Sequence, residues 1–240
     1  MNKAEKKVSA VYDKKAKNFR ATDKRQRWDY LFSKFCSDHF LLSKIDLEGK
    51  TVLNIGCAPH PIDEILHARK CKRWVATDIN QNVLNAAKKM AEEELSPKLF
   101  SRLSFEKADA RKLPYEDKSF DVVLAFSTIE HIPDTGWKTA LLEISRVLKP
   151  KGYAIITMPN KLNLAYWNWS RKQQKKGQAE FGYEVCVTPF GLKREMNKNS
   201  LTPIKFASNF IVSPSIWNSF LTIPFLSYFG FRMGYLARKK

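Results

Sequence analysis

The sequence predicts an α/β fold: a doubly wound, mostly parallel seven-stranded sheet with helices on both faces. From residue 51 onward, short runs rich in β-branched and aromatic residues alternate with longer stretches whose apolar residues recur at helical spacing. Strands separated by helices form parallel βαβ units with right-handed crossovers, which distribute the helices over both faces. No Gly/Ser/Pro-rich linker divides the 240 residues, so we expect one domain with appended segments.

Two strand–helix units open this pattern between residues 51 and 95. In both predicted helices the apolar residues share one face. These residues are Ile62, Ile65 and Leu66 in the first helix and Val83, Leu84 and Ala87 in the second. Asn80 stands where its side chain can cap the second helix. The predicted strands are 51–56 and 73–79, and the predicted helices are 61–70 and 80–95.

The remaining elements continue the alternation from residue 103. The helix at 135–149 is amphipathic and ends at Pro150, because proline cannot continue a helix. Its apolar residues, all predicted to be buried, are Leu141, Leu142, Ile144, Val147 and Leu148. The other predicted elements are strands 103–109, 120–127, 153–159, 204–212 and 234–237 and a helix at 188–200.

Positive charge is concentrated towards the two ends of the chain. The formal net charge is +18; residues 1–30 hold 10 basic and 4 acidic side chains, and residues 161–240 hold 13 and 3, which leaves +2 for the middle. Basic flanks favour contact with something anionic, either nucleic-acid phosphates or lipid headgroups, with simple solubility as the alternative.

The four cysteines are Cys36, Cys57, Cys71 and Cys186, and no two form a C-x-x-C pair. Neither a zinc site nor a disulfide framework is therefore indicated, and we expect reduced thiols in a cytoplasmic protein. The first ten residues carry positive charge without an apolar run behind them, so a secretory signal is not expected.

Three of the predicted strands end in residues suited to a nucleotide. The first ends at Gly56 and is followed by Cys57 and Ala58, and these small residues let the backbone approach a ligand. Asp78 ends the second strand, 22 positions after Gly56, near the spacing at which an acid binds ribose hydroxyls. Asp109 ends the third strand and can accept a hydrogen bond from an adenine amine. Because such ends meet at one edge of the sheet, we expect a nucleotide site there.

Four longer motifs form a recognisable set: Ala108–Tyr115, Asp117–Val123, Ile129–Ile132 and Glu143–Gly152. Together they resemble the class I S-adenosylmethionine-dependent methyltransferases, in particular the type 11 group. The resemblance extends from about residue 12 to residue 160 and implies a Rossmann-like fold with S-adenosylmethionine as the methyl donor. The segment Tyr12–Phe19 is similar to the lid helix that closes over the cofactor in these enzymes.

The resemblance implies a role for each strand end. The turn after the first strand would line the methionine part of the cofactor, the acid ending the second would hold the ribose, and the residues after the third would meet the adenine. The residue beyond the fourth strand would face the methyl-transfer centre. The implied cofactor-binding residues are Asn54, Gly56, Cys57, Ala58, Asp78, Ile79, Asp109, Ala110 and Ser127.

Two departures from the family pattern bear on activity. Asn54 and Ala58 stand where the family usually has an acid and a glycine, which raises the alternative of a degenerate cofactor-binding scaffold. The E-x-x-E-H metal motif of related ubiquinone-pathway O-methyltransferases has Ser127 in place of its first acid here, so no metal is predicted. The turn also lacks the further glycines of a dehydrogenase fingerprint.

His131 is the candidate catalytic residue. Its imidazole titrates near neutrality beside the expected reaction centre, so it can act as a general base. The alternative, which we favour, is a structural role as the cap of the helix that follows Pro133.

The region after residue 160 is expected to select the acceptor. It contains a basic run at 171–176, and from residue 206 to residue 231 it has no charged side chain but many aromatic ones. Pro214 and Pro224 disfavour a clean membrane span, so this stretch is expected either to lie in a membrane interface or to fill the core.

We therefore expect a methyltransferase that acts on a lipid-linked or hydrophobic small molecule, peripheral to the inner face of the cytoplasmic membrane. An RNA methyltransferase, acting on tRNA or rRNA, is the alternative because the aromatic residues can stack on unpaired bases. No partner protein is inferred. The predicted organisation is a lid segment at 1–45, a cofactor-binding core at 46–160 and an acceptor-side region at 161–240.

Overall fold

A computed structural model describes residues 3–18, 38–177, 182–209 and 228–240. The strands are β1 Thr51–Ile55, β2 Arg73–Asp78, β3 Leu103–Lys107, β4 Phe120–Phe126, β5 Leu148–Pro159, β6 Leu201–Asn209 and β7 Arg232–Lys239. The helices are α1 Lys3–Asn18, α2 Phe40–Leu42, α3 Ile62–His67, α4 Gln81–Glu94, α5 Pro97–Phe100, α6 Gly136–Val147, α7 Leu164–Lys176 and α8 Pro189–Lys198.

The seven strands form one sheet in the order β3-β2-β1-β4-β5-β7-β6. Neighbours among β1 to β5 pair in parallel, whereas β7 runs antiparallel to both β5 and β6. The predicted mostly parallel, seven-stranded sheet is confirmed. As in other open α/β sheets, the edge at the carboxyl ends of the parallel strands is where a ligand is expected.

Helices cover both faces of the sheet, so successive residues of a strand are buried on opposite faces. Leu53 and Val123 belong to the apolar cluster on the face of α6 and α8, while their neighbours Val52 and Leu124 belong to the cluster on the face of α2 and α4. Strands buried on both faces read as continuous apolar runs, which is the pattern that identified them in the sequence.

The helix after β2 forms as its sequence predicts. The Asn80 side chain accepts hydrogen bonds from the backbone N–H groups of Asn82 and Val83 and caps α4. Val83, Leu84 and Ala87 are buried, as predicted. Thr188 caps α8 in the same way, by accepting from the N–H of Gly191.

Two predicted core residues are exposed instead. Leu66 and Leu142 lie on the solvent side of α3 and α6. In α3 the buried residues are Ile62, Asp63 and Glu64, because the carboxylates have polar partners beneath the helix. Helical spacing alone could not reveal a buried polar face.

Several boundaries also differ from the predictions. The helix before β5 ends at Val147, and Leu148 already belongs to the strand, where it pairs with Phe120. Strand β6 begins at Leu201 rather than at residue 204, and β7 spans Arg232–Lys239 rather than 234–237. Both differences arise because the two strands pair with each other along their length. Phe19, the residues of the sixth predicted strand beyond Asn209 and residues 210–227 of the uncharged stretch lie outside the described residues.

Candidate functional site

The turn after β1 requires glycine at its first position. Gly56 has φ of 73°, and an added Cβ would lie 2.8 Å from the Cβ of Thr128 and closer still to its γ atoms. The N–H groups of Gly56 and Cys57 both donate to the carbonyl of Thr77, at 2.7 and 2.9 Å. The turn is therefore held between the ends of β2 and β4.

Ala58 is the strained position of the same turn. Its φ is 58°, in the left-handed region that side chains with a Cβ rarely adopt. This geometry explains why the family usually has glycine here. The N–H of Ala58 donates to the Asp78 carboxylate, so the chain keeps the expected turn at a cost in strain.

Asp78, the predicted ribose-binding acid, ends β2 directly beside this turn. Its Oδ1 accepts from the N–H of Asn80 at 2.9 Å. Burial raises the pKa of Asp78 to about 6, although the N–H groups of Asn80, Ala58 and Ile79 favour the charged carboxylate. A carboxylate so oriented is a fixed acceptor at neutral pH.

Asn54 pairs with a carboxylate supplied by α3. Its Nδ2 donates to Oε1 of Glu64 at 2.6 Å, and the Nε1 of Trp74 donates to the same oxygen at 3.2 Å. Both Asn54 and Glu64 are buried. The family usually has an acid at position 54 on the strand, whereas here the carboxylate comes from Glu64 on the next helix. A second carboxylate at position 54 would lie against that of Glu64.

Helix α1 lies across the ends of the strands. Asp13 accepts from the side-chain amides of Asn80 and Asn82 at 2.9 and 2.8 Å. The Tyr12 ring packs edge-on to His131 with centroids 6.0 Å apart. The helix thus contacts residues beyond both β2 and β4, which is where a lid over the turn must lie.

Asp109 lies two residues beyond β3 and is already paired. The Nη2 of Arg111 donates to its Oδ2 at 2.6 Å, and the Nε of Arg111 donates to its Oδ1 at 3.0 Å. Partial burial acts to raise the pKa of Asp109, but hydrogen bonds and charge from Arg111 lower it overall. An adenine amine would have to share these oxygens with Arg111. Nearby, Ile79 is exposed and Ala110 is at the limit of burial.

Ser127 follows β4 in a left-handed conformation, with φ of 48°. Its N–H donates to the carbonyl and the hydroxyl of Thr157, both at 3.1 Å. Among the described residues its buried Oγ has no hydrogen-bond partner. A buried hydroxyl without a partner is uncommon in folded proteins, and a bound ligand or water would supply the missing hydrogen bond.

His131 does not cap the helix after Pro133. That helix, α6, has Thr135 at its N-cap. Instead the Nδ1 of His131 lies 2.7 Å from the carbonyl of Tyr183 and donates to it. The tautomer protonated at Nδ1 leaves Nε2 as the nitrogen that can take up a proton.

Glu130, next to His131, is a buried acid that the sequence reasoning did not select. Its side chain is buried, and its Oε2 has no partner among the described residues. Burial raises the pKa of Glu130 well above its ordinary value, and the charge of Glu184 adds to this effect. The sequence feature that could have identified Glu130 is its position between Ser127 and His131, which were both selected as site residues. Within the described ranges, no group of three His, Cys, Asp or Glu side chains is arranged to hold a metal ion.

Comparison with known proteins agrees with this geometry. Residues 53–156 match the type 11 methyltransferase family model, described as a methyltransferase domain. The fatty-acid O-methyltransferase of Mycolicibacterium smegmatis is 31% identical over 50% of this chain and 40% of its own length. The phthiotriol/phenolphthiotriol dimycocerosates methyltransferase of Mycobacterium tuberculosis is 31% identical over 48% of this chain and 40% of its own length.

A solved S-adenosylmethionine-dependent methyltransferase from Thermotoga maritima has the same fold. It superposes with a TM-score of 0.68 over 97% of this chain and 100% of that chain, at 18% identity. Residues 53–156 thus resemble a methyltransferase domain of type 11, and the sheet shares the fold of that solved methyltransferase. The chain spans 40% of the length of the two curated relatives.

Proposed function

We propose that this protein transfers the methyl group of S-adenosylmethionine to a lipid-linked or otherwise hydrophobic acceptor. The main observation behind this proposal is that the glycine turn, Asp78 and Ser127 lie together at one edge of the sheet, where α1 crosses the strand ends. Sheets of this architecture bind their ligands at that edge.

The residues present fit the cofactor. A Cβ at Gly56 would collide with Thr128, so the turn keeps its place between the ends of β2 and β4 only because glycine is there. Asp78 presents a fixed carboxylate, the group that binds ribose hydroxyls in nucleotide-binding folds. Glu64 supplies the carboxylate that is missing at position 54, and it accepts a hydrogen bond from Asn54. This replacement argues against a degenerate scaffold.

S-adenosylmethionine supplies an electrophilic methyl group on a sulfonium, and its transfer is an in-line displacement. The protein has to align the acceptor and exclude water. Helix α1 covers the edge, and Ser127 offers a hydrogen bond towards it. Where the acceptor must lose a proton, the Nε2 of His131 is the proposed base, held in orientation by the carbonyl of Tyr183.

Two observations support a hydrophobic acceptor. The curated relatives include enzymes named for a fatty acid and for phthiotriol and phenolphthiotriol dimycocerosates, and exposed apolar side chains lie on the same edge beyond β5. We further propose that the protein acts at the cytoplasmic membrane face. No helix among the described residues is both long and apolar enough to cross a bilayer.

The test is methyl transfer from tritiated S-adenosylmethionine to either of two mixtures. Label in the organic extract of a membrane lipid fraction, lost in Asp78→Ala but kept in the exposed control Glu93→Ala, supports the proposal. Label only in a tRNA and rRNA fraction would replace it with the RNA alternative. Transfer to neither fraction, together with no cofactor binding, would favour the scaffold.

A further inference from the structure

Four exposed apolar side chains surround the start of β7. Leu164 is 62% exposed, Phe190 63%, Trp169 48% and Phe229 38%. Exposed apolar residues are ordinary when scattered singly, but a cluster marks an interaction surface. We call these four residues the apolar tip.

Specific contacts hold the tip together. The side-chain amide of Asn163 donates to the carbonyl of Phe229 at 3.1 Å, which fixes the start of α7 beside β7. The Phe190 ring, at the start of α8, stacks on Tyr228 with centroids 5.5 Å apart. Trp169 reaches the same group through Tyr166, at 5.6 Å. The first turns of α7 and α8 therefore meet at residues 228 and 229.

The tip lies on the same edge of the sheet as the proposed cofactor site. Arg232 opens β7 opposite Pro159, the last residue of β5, and opposite Asn209, the last residue of β6. Because β5 is parallel to β4, its end lies at the edge where Ser127 follows β4. An acceptor that left a membrane at the tip would arrive at the edge where the methyl donor is expected.

Basic side chains lie further along α7 and α8 than the apolar tip. Their exposed basic residues are Arg171, Lys172, Lys175 and Lys176 on α7 and Lys193, Arg194 and Lys198 on α8. At about 1.5 Å per residue they lie roughly 10–18 Å beyond Leu164 and roughly 5–12 Å beyond Phe190. We call these seven residues the basic collar.

The collar on α8 lines an open groove of about 530 Å³. Phe190, Lys193, Arg194, Asn197 and Lys198 form its walls. Glu195 neutralises part of this charge, since its Oε1 accepts from Lys198 at 3.0 Å and lies 3.5 Å from Arg194. Lys193 has no ion-pair partner among the described residues. The surface stays cationic and suits anionic headgroups.

We propose that the apolar tip and basic collar dock this protein on an anionic lipid bilayer, with the tip inserted and the collar at headgroup depth. This inference rests on the proposed function, since it supplies the route of the hydrophobic acceptor. Lipid is favoured over nucleic acid because an aliphatic side chain such as Leu164 finds no apolar partner on a phosphate backbone. In addition, the cations stand behind the apolar residues rather than between them.

The test is vesicle sedimentation of the full chain with phosphatidylcholine alone and with added phosphatidylglycerol. The parent is expected to bind only the anionic vesicles, and less at high salt. Leu164→Ser with Phe190→Ser, and separately Lys172→Glu with Lys193→Glu, are expected to lower binding by about tenfold or more. The matched controls, Leu66→Ser with Leu142→Ser and Lys89→Glu with Lys98→Glu, change exposed side chains elsewhere and are expected to bind like the parent.

Absence of binding to anionic vesicles would overturn the docking proposal, as would equal losses in the test and control variants. Binding to tRNA that the collar variants lose, without vesicle binding, would overturn it in favour of nucleic acid. Calorimetric titration with S-adenosylmethionine separates the two proposals. If the protein binds the cofactor but not the vesicles, only the docking proposal fails. If it does not bind the cofactor, the proposed function fails.

Discussion

Ala58 holds a left-handed backbone conformation in the turn that the cofactor is proposed to contact. Replacing it with glycine removes steric strain, partly offset by the greater freedom of glycine in the unfolded chain. We expect Ala58→Gly to raise the free energy of unfolding by about 0.5–1 kcal/mol and to tighten S-adenosylmethionine binding. Lys118→Gly relieves similar strain at an exposed position with φ of 57°, so it should stabilise without changing affinity. Equal affinity changes in both variants would contradict a role for the turn.

Asp78 gives cofactor binding a pH dependence. With its pKa raised to about 6, the side chain is a carboxylate at pH 7.5 and largely protonated at pH 5.5. Protonation removes an acceptor for ribose hydroxyls, so affinity should fall across this interval. Asp78→Asn should bind weakly and with a flatter pH profile in calorimetric titrations.

The titration of Asp78 does not itself destabilise the folded protein over this interval. Because the folded-state pKa of Asp78 lies above its unfolded value, this group favours the folded state as pH falls through 6. A parallel pH profile in Asp78→Asn would assign the effect to another group.

At the scale of elements, the pair of Asn54 and Glu64 joins β1 to α3. Asn54→Asp would set two buried carboxylates against each other, and we expect the free energy of unfolding to fall by about 2–3 kcal/mol at pH 7. The loss should shrink at lower pH as one carboxyl takes up a proton. Asn54→Asp with Glu64→Gln restores one amide and one acid and should recover most of the stability. Denaturant unfolding measures all three proteins, and a fully stable single variant would contradict this pairing.

Helix α1 is held over the strand ends in part through Asp13. Removing its carboxylate in Asp13→Ala leaves the amides of Asn80 and Asn82 without this acceptor. We expect faster backbone hydrogen exchange in α1 and faster cofactor release. Lys14→Ala, at an exposed position on the same helix, is the control. Unchanged exchange in Asp13→Ala would show that other contacts hold the helix.

The elements differ in how far the sequence could predict them. The central strands and α4 were predictable because continuous apolar runs and the Asn80 cap are local signals. Helix α7 was not predicted, although Asn163 caps it and Gly177 ends it with φ of 71°. The buried face of α3 and the partner of His131 depend on residues far apart in sequence, which periodicity does not encode. The pairing of Asp109 with Arg111, only two residues along the chain, is a side-chain contact that the pattern of strand ends does not specify.

At the scale of the whole molecule, one edge of the sheet combines two surfaces. The glycine turn, Asp78 and α1 lie over β1 and β2, while the apolar tip and basic collar lie beyond β5 and β7. Seven of the 13 basic side chains of residues 161–240 belong to α7 and α8, the helices that start at this edge. The predicted division at residues 45 and 160 stays a prediction.

Calorimetric titration of the parent and Asp78→Ala with S-adenosylmethionine and its demethylated product tests the central claim most directly. We predict that both compounds bind the parent at one site per chain and that Asp78→Ala, with an unchanged melting temperature, loses this binding. A folded parent that binds neither compound, or an Asp78→Ala variant that binds as tightly as the parent, would contradict the account.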